Sequence, residues 1–150
     1  MLCAVKSKRT SVPLSEGQAA LADKMRDAGL RPTRQRLLIA ELLLDGRHRH
    51  VTADSLQIEI TKAGIVVAEG TVYNTLNQFT DAGLLRRVNL NNDYNVFDTN
   101  IHHHHHFYDQ AADQLYDIPS DQMRVADLPN PPDGHDITSV DVIIQIAPKA

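Results

Sequence analysis

Thr71-Val72-Tyr73-Asn74-Thr75-Leu76-Asn77-Gln78-Phe79-Thr80-Asp81-Ala82 reads as one helix with two different sides. Val72, Leu76, Phe79 and Ala82 recur at i, i+4, i+7 and i+10, which lines a single face with apolar groups. The opposite face carries Tyr73, Asn74, Asn77 and Gln78, all uncharged hydrogen-bonding side chains. Asn and Gln can pair bidentately with adenine N6 and N7, and a tyrosine ring or the Thr71 methyl can pack on a thymine methyl. No carboxylate stands before Asp81 to repel a phosphate. The spacing predicts a helix over 71–82 that buries one side and offers the other to a duplex.

Upstream, three further helices lead to this one. Ser15 and Gln18 have capping-box spacing, Leu21 and Met25 lie four apart, and Gly29 suits the position past a helix end, predicting a helix over 16–28. Pro32 forbids its continuation and Thr33 can cap the next. Residues 34–44 place Leu38, Leu42, Ile39 and Leu43 on an apolar stripe ending at Asp45-Gly46. Thr52 opens a third helix with Leu56, Ile60 and Ala63 on one face and Gly64 as its stop. Downstream of Gly83, two extended arms flank Asn91-Asn92-Asp93 across 84–97, the pattern of a hairpin. Short helices followed by a hairpin make a winged helix-turn-helix, whose last helix enters the major groove. Arg31, Arg34, Arg36, Arg47, Arg49, Arg86 and Arg87 are then placed to meet phosphates, with His48 beside them.

From residue 102 the pattern changes to strands, loops and one weak helix. Extended segments are expected over 102–109 and 114–118, then a loop around Pro129, Pro131 and Pro132, then a last strand over 140–146. In that strand Val140, Val142, Ile144 and Ile146 alternate with Asp141, Ile143 and Gln145. A domain this small does not bury such a face alone, which predicts a homodimer. The division expected is a mobile tail at 1–14, a winged-helix DNA-binding domain at 15–98 and a dimerisation and sensing domain at 99–150. The fold class is α+β: an N-terminal winged helix-turn-helix followed by a small α/β dimerisation domain.

Five consecutive histidines, His102 to His106, are a costly packing choice, because each buried imidazole needs a hydrogen-bond partner. In an extended segment His102, His104 and His106 face one way and His103 and His105 the other. Two separate sites become possible. Imidazole nitrogen suits zinc, iron, manganese or haem, and Asp98 can complete a mixed nitrogen and oxygen set.

Charge and composition narrow the function classes. Residues 1–50 hold ten Lys/Arg against five Asp/Glu, whereas residues 101–150 hold two against eight, so the basic front suits nucleic acid and the acidic back suits cations. The single cysteine, Cys3, excludes an intrachain disulfide and a thiolate zinc site, and fits the reducing cytoplasm in which the chain is expected. No apolar run approaches the roughly 20 residues of a bilayer span, so no membrane partner is expected. No H-E-x-x-H motif or separate general base accompanies the histidines, which argues against a metal hydrolase and for no enzymatic role. A haem- or metal-carrier protein would explain the back half but not the polar face of the fourth helix.

The residues resemble the ferric uptake regulator family of dimeric metal-responsive repressors. Gly29-Leu30-Arg31-Pro32-Thr33 with Arg36, His50-Val51-Thr52-Ala53-Asp54-Ser55-Leu56, Thr71-Val72-Tyr73-Asn74-Thr75-Leu76 with Gly83-Leu84-Leu85, and Val96-Phe97-Asp98 before the histidines are similar to its successive landmarks. Family members commonly follow the histidines with a Cys-x-x-Cys pair, where this chain has Asp109 and Ala112. That absence, with Asp98-Thr99-Asn100, resembles the iron response regulator branch, which senses iron through haem. Some members of that branch carry Cys-Pro near the N-terminus; here Ala4 follows Cys3.

The resemblance implies regulatory metal ligands at His50, Asp98, His104 and His106, and a second site, open to haem, drawing on His103, His104 and His105. It implies a major-groove role for Tyr73, a minor-groove role for Arg31, and, with Asn74 where relatives often have arginine, an A/T-rich target. The DNA-binding set expected is Arg31, Thr71, Tyr73, Asn74, Asn77, Gln78 and Arg86. The function expected is a dimeric iron-responsive regulator, mainly a repressor, that binds A/T-rich palindromic operators under iron limitation and is released by haem, with a haem-delivering enzyme as a further partner. The alternative is a repressor that senses Mn or Fe directly and whose DNA binding the metal promotes, with zinc able to substitute in vitro.

Overall fold

The structure, a computed structural model, describes residues 12–150. Cys3 and most of the tail expected at 1–14 lie outside the described residues. Among the described residues, helices α1 (Glu16–Asp27), α2 (Arg34–Leu43), α3 (Ala53–Lys62) and α4 (Glu69–Asp81) all lie in the first part of the chain. The Ser15–Gln18 capping box forms on α1, Thr33 caps α2, and Thr52 exchanges a reciprocal cap with Ser55 on α3. Gly29, at φ 81°, ends α1 by letting the Leu30 amide reach the Met25 carbonyl at 2.8 Å. Helix α4 begins at Glu69, two residues before the expected Thr71, behind Ala68, which has no capping side chain to announce the start.

The four helices bury their apolar stripes against one another. Ile39, Leu43, Leu56, Ile60, Val72, Leu76, Phe79 and Phe97 are fully enclosed. On α2 the inward side is Leu37, Ile39, Ala40 and Leu43; Leu38 and Leu42, expected in the stripe, flank it half-buried. Gly83, at φ 78°, then turns the chain so that Leu84 and Leu85 cap the same core.

The hairpin expected over 84–97 forms as β2 (Arg86–Val88) and β3 (Val96–Asp98). A strand that was not expected, β1 (His50–Val51), pairs on the other side of β3, so the sheet runs β1-β3-β2 with all neighbours antiparallel. Two residues are too few to show a period, which hid it. His50 thereby stands directly opposite Asp98.

The second sheet contains β4 (His105–Asp109), β5 (Gln114–Ile118) and β6 (Ile143–Ile146) in the order β5-β4-β6, with β5 antiparallel and β6 parallel to β4. Among the described residues of 99–150 there is no helix, contrary to the weak one expected. Pro119, Pro129, Pro131 and Pro132, with Asp127 at φ 57°, interrupt the connection between β5 and β6. Ile143, assigned to the mixed face of the last strand, points inward to a small core of Val88, Val96, Tyr108 and Leu115. That core is shared between the wing and the second sheet. Tyr116, Phe107 and Ile144 stand in register across β5, β4 and β6 and are 49%, 37% and 36% exposed.

Candidate metal centre and nucleic-acid face

The sheets converge on one cluster of donors. His50 and Asp98 come from the first sheet, His104 and His106 from the approach to β4 and its second residue, and Asp117 from β5 opposite His106. One ligand atom from each lies within 4.8 Å of all the others. The four residues expected as ligands from the resemblance are therefore brought together, and Asp117 joins them as a fifth candidate donor that the sequence reading missed. Its signal was register: an antiparallel return from β4 through the turn at 110–113 sets Asp117 beside His106.

All three imidazoles present Nε2. Asp98 Oδ2 lies 3.2, 2.8 and 3.0 Å from Nε2 of His50, His104 and His106, and Asp117 Oδ1 lies 2.9, 3.3 and 3.4 Å from the same atoms. These contacts cannot all be ordinary hydrogen bonds. His104 Nδ1 sits 2.6 Å from the His102 carbonyl, which requires its proton there, so a neutral His104 turns an Nε2 lone pair toward a carboxylate. His50 Nε2 and Asp117 Oδ1 are buried and, despite their separation of 2.9 Å, are not aligned as a hydrogen bond. Lone pairs aimed at a common point need a proton or a cation between them. Donors about 3 Å apart also suit an ion roughly 2.1 Å from each, the usual reach of His and carboxylate ligands to zinc and similar ions.

The electrostatics follow. Burial opposes the charged form of Asp98, but the His106 hydrogen bond, the His50 charge nearby and the Asn100 amide at 2.8 Å hold its carboxyl well below the usual carboxylate range. Burial likewise opposes protonation of His50, yet Asp98 and Asp117 together raise its pKa above the ordinary 6.5. Asn100 steadies both carboxylates: its amide N–H binds Asp98, its side-chain amide donates to Asp117 at 3.4 Å, and its Oδ1 accepts from the His102 amide at 3.2 Å.

The remaining histidines lie elsewhere. His103 and His105 pack edge to face, ring centroids 5.0 Å apart, with His103 Nε2 3.0 Å from the Val140 carbonyl and His105 Nδ1 accepting from the Val142 amide at 3.1 Å. His104, assigned to both sites in the sequence, turns to Asp98 and away from this pair. His48 and His135 are exposed in loops. At the expected Cys-x-x-Cys positions, Asp109 Oδ1 instead accepts from the amides of Ala111 and Ala112 at 3.0 and 3.3 Å and closes the turn.

On the outer side of α4, Tyr73 is 45% exposed and its hydroxyl accepts from Asn95 at 3.4 Å. Thr71 and Asn77 are half-buried; Asn74, Gln78 and Arg31 are exposed. Gln78 is bonded to Arg36 and Asn77 to Arg87. Arg86 departs from the expected outward pose: Nη1 donates to the His102 carbonyl and Nη2 to Asp141, each at 2.9 Å, because these acceptors of the second unit lie within its reach.

The ferric uptake regulation protein of Shigella flexneri is 41% identical over 80 residues, covering 53% of this chain and 54% of that protein, so the chain spans about half the length of the curated relatives it matches. The ferric uptake regulator of Pseudomonas aeruginosa with manganese superposes with a TM-score of 0.66 at 23% identity, over 85% of this chain and 97% of the other. The Vibrio cholerae ferric uptake regulator gives a TM-score of 0.66 at 24% identity, over 85% and 98%. The model of the ferric uptake regulator family matches residues 27–142, and the chain belongs to that family.

Proposed function

We propose that the chain is a homodimeric, cytoplasmic transcription regulator whose affinity for double-stranded DNA rises when a divalent ion of the manganese or iron type binds His50, Asp98, His104, His106 and Asp117. One observation carries the reading: the donor set is split between the unit that bears α4 and the unit that bears the second sheet. An ion there supplies positive charge that neutralises two carboxylates and ties the two units together. Three imidazoles and two carboxylates without thiolate suit manganese or iron, and zinc can enter the same set in vitro. The manganese in the Pseudomonas aeruginosa relative supports the same choice. Repression at A/T-rich palindromic operators belongs to this reading.

The haem reading rests on the His103–His105 pair beside the main cluster. It has less support, because His105 Nδ1 accepts a hydrogen bond and its proton must then sit on Nε2, the nitrogen left for a ligand. Release by haem, binding under iron limitation and a haem-delivering enzyme all depend on that second reading. Separate titrations of Mn(II), Fe(II), Zn(II) and haem into protein with an A/T-rich duplex distinguish the two. Manganese or iron should tighten the complex by about 5- to 150-fold, the usual span of a coupling free energy. Loss of the complex on adding haem, with no response to either ion, would replace the ion reading by the haem one.

A further inference from the structure

Two amides on the outer face of α4 have their oxygens already engaged. Gln78 Oε1 accepts from Arg36 Nε at 3.2 Å and Nη2 at 2.9 Å, and Asn77 Oδ1 accepts from Arg87 Nη2 at 2.6 Å. A guanidinium has donors only, so in each pair the amide oxygen must face the arginine and the NH2 group must face away. Arg36 is itself fixed, because its Nη1 donates to the Arg31 carbonyl at 2.7 Å. Its fork spans the turn between α1 and α2 on one side and α4 on the other. Bonds to a charged planar fork are stronger than neutral ones, and two of them converge on one Gln78 oxygen.

This alters what the face can read. Recognition of adenine by Asn or Gln needs both ends of the amide, the oxygen accepting from N6 and the nitrogen donating to N7. Asn77 Oδ1, bonded once, keeps one lone pair free, but Gln78 Oε1 has both taken by Arg36 and its amide offers N–H alone. Such a group is satisfied by guanine O6 and N7 or by thymine O4, whereas against adenine it leaves the N6 amino group without a partner. We infer that Arg36 is a specificity-determining positioning residue that makes Gln78 a donor-only reader of the major groove. The inference rests on the DNA-binding reading above and replaces the expectation of a bidentate adenine contact from Gln78.

The test is selection from a randomised duplex library by the Mn(II)-loaded full chain, followed by affinity measurements on single-base changes. Gln78→Glu keeps a partner for Arg36 and removes the NH2 group, so it identifies the base pair that Gln78 reads by a roughly tenfold loss of discrimination there. At that pair the wild type should prefer guanine or thymine on the contacted strand. Arg36→Met, which keeps the stem and removes the donors, should raise the relative affinity for adenine at the same pair roughly fivefold or more. Adenine preferred there by the wild type, or uniform weakening on every sequence by Arg36→Met, overturns the inference. If Arg36→Met fails to fold by circular dichroism, the wild-type ranking and Gln78→Glu decide alone. A wild type that enriches no sequence overturns the DNA-binding reading itself, whereas clear enrichment that Gln78→Glu leaves unchanged overturns only this inference.

Discussion

Asp117 and His50 approach to 2.9 Å inside a buried cluster without forming an aligned hydrogen bond, which is how ligands for a shared cation are arranged. Asp117→Asn keeps the shape and removes the charge; it should lower Mn(II) affinity by at least about tenfold while leaving the fold intact, as read by calorimetric titration and circular dichroism. Unchanged affinity would remove Asp117 from the ligand set. The protonation of His50 gives a second test. Its folded pKa is raised, so in the metal-free protein it contributes stability that is complete below its ordinary 6.5 and is lost as pH rises through the folded value. Asp98, held low, loses its contribution only when pH falls toward its folded value, well below this window. Metal binding requires the neutral imidazole and therefore strengthens as pH rises. The difference in melting temperature between Mn(II)-loaded and metal-free protein should widen from about pH 6 to about pH 8; a gap that narrows would mean that His50 is not a ligand.

At the level of elements, the turn between β4 and β5 is held by side chains. Tyr108, buried, donates to Asp113 at 2.9 Å and accepts from Asn92 at 3.2 Å, while Tyr94 also donates to Asp113, so one carboxylate at φ 50° ties the wing to the second sheet. Asp113→Ala should cost about 1–3 kcal/mol in denaturant unfolding, chiefly by leaving the Tyr108 hydroxyl unsatisfied. A cost within about 0.5 kcal/mol, the range of ordinary surface changes, would show that water replaces it. Arg86 makes the other tie. It shares the His102 carbonyl with His104 of the proposed metal site, so Arg86→Ala should reduce the effect of Mn(II) on DNA affinity more than it reduces metal binding. Equal loss of metal binding would make it a support for the ligands alone. These ties explain what was legible. Long periodic segments such as α4, and caps such as Ser15 and Thr52, announced themselves, and the histidine alternation foretold the sides of His103 to His106, though His102, expected with His104 and His106, is exposed before β4 and outside the donor cluster. β1, Asp117 and the pose of Arg86 depend on pairing between distant segments, which local spacing does not encode.

For the whole molecule, the outer face of the second sheet poses the largest demand. Tyr116, Phe107 and Ile144 form one continuous row across three strands, with Ile146 also exposed one step along β6, and nothing else in the described chain covers them. An apolar sheet face of this kind is stable in water when a second copy packs on it. A two-fold partner would also set the two copies of α4 at a fixed separation, which for paired major grooves is about 34 Å or a multiple of it. Phe107→Asp puts a charge in the middle of the row without touching the metal ligands or the helical core. The variant should sediment as a monomer at micromolar concentration, retain Mn(II) binding, and lose the preference of the wild type for an inverted repeat over a single half-site. A wild type that is already monomeric would remove the dimer from the reading. A dimeric Phe107→Asp variant would move the interface to another surface, and the spacing of the recognition helices would then have to be derived from that surface instead.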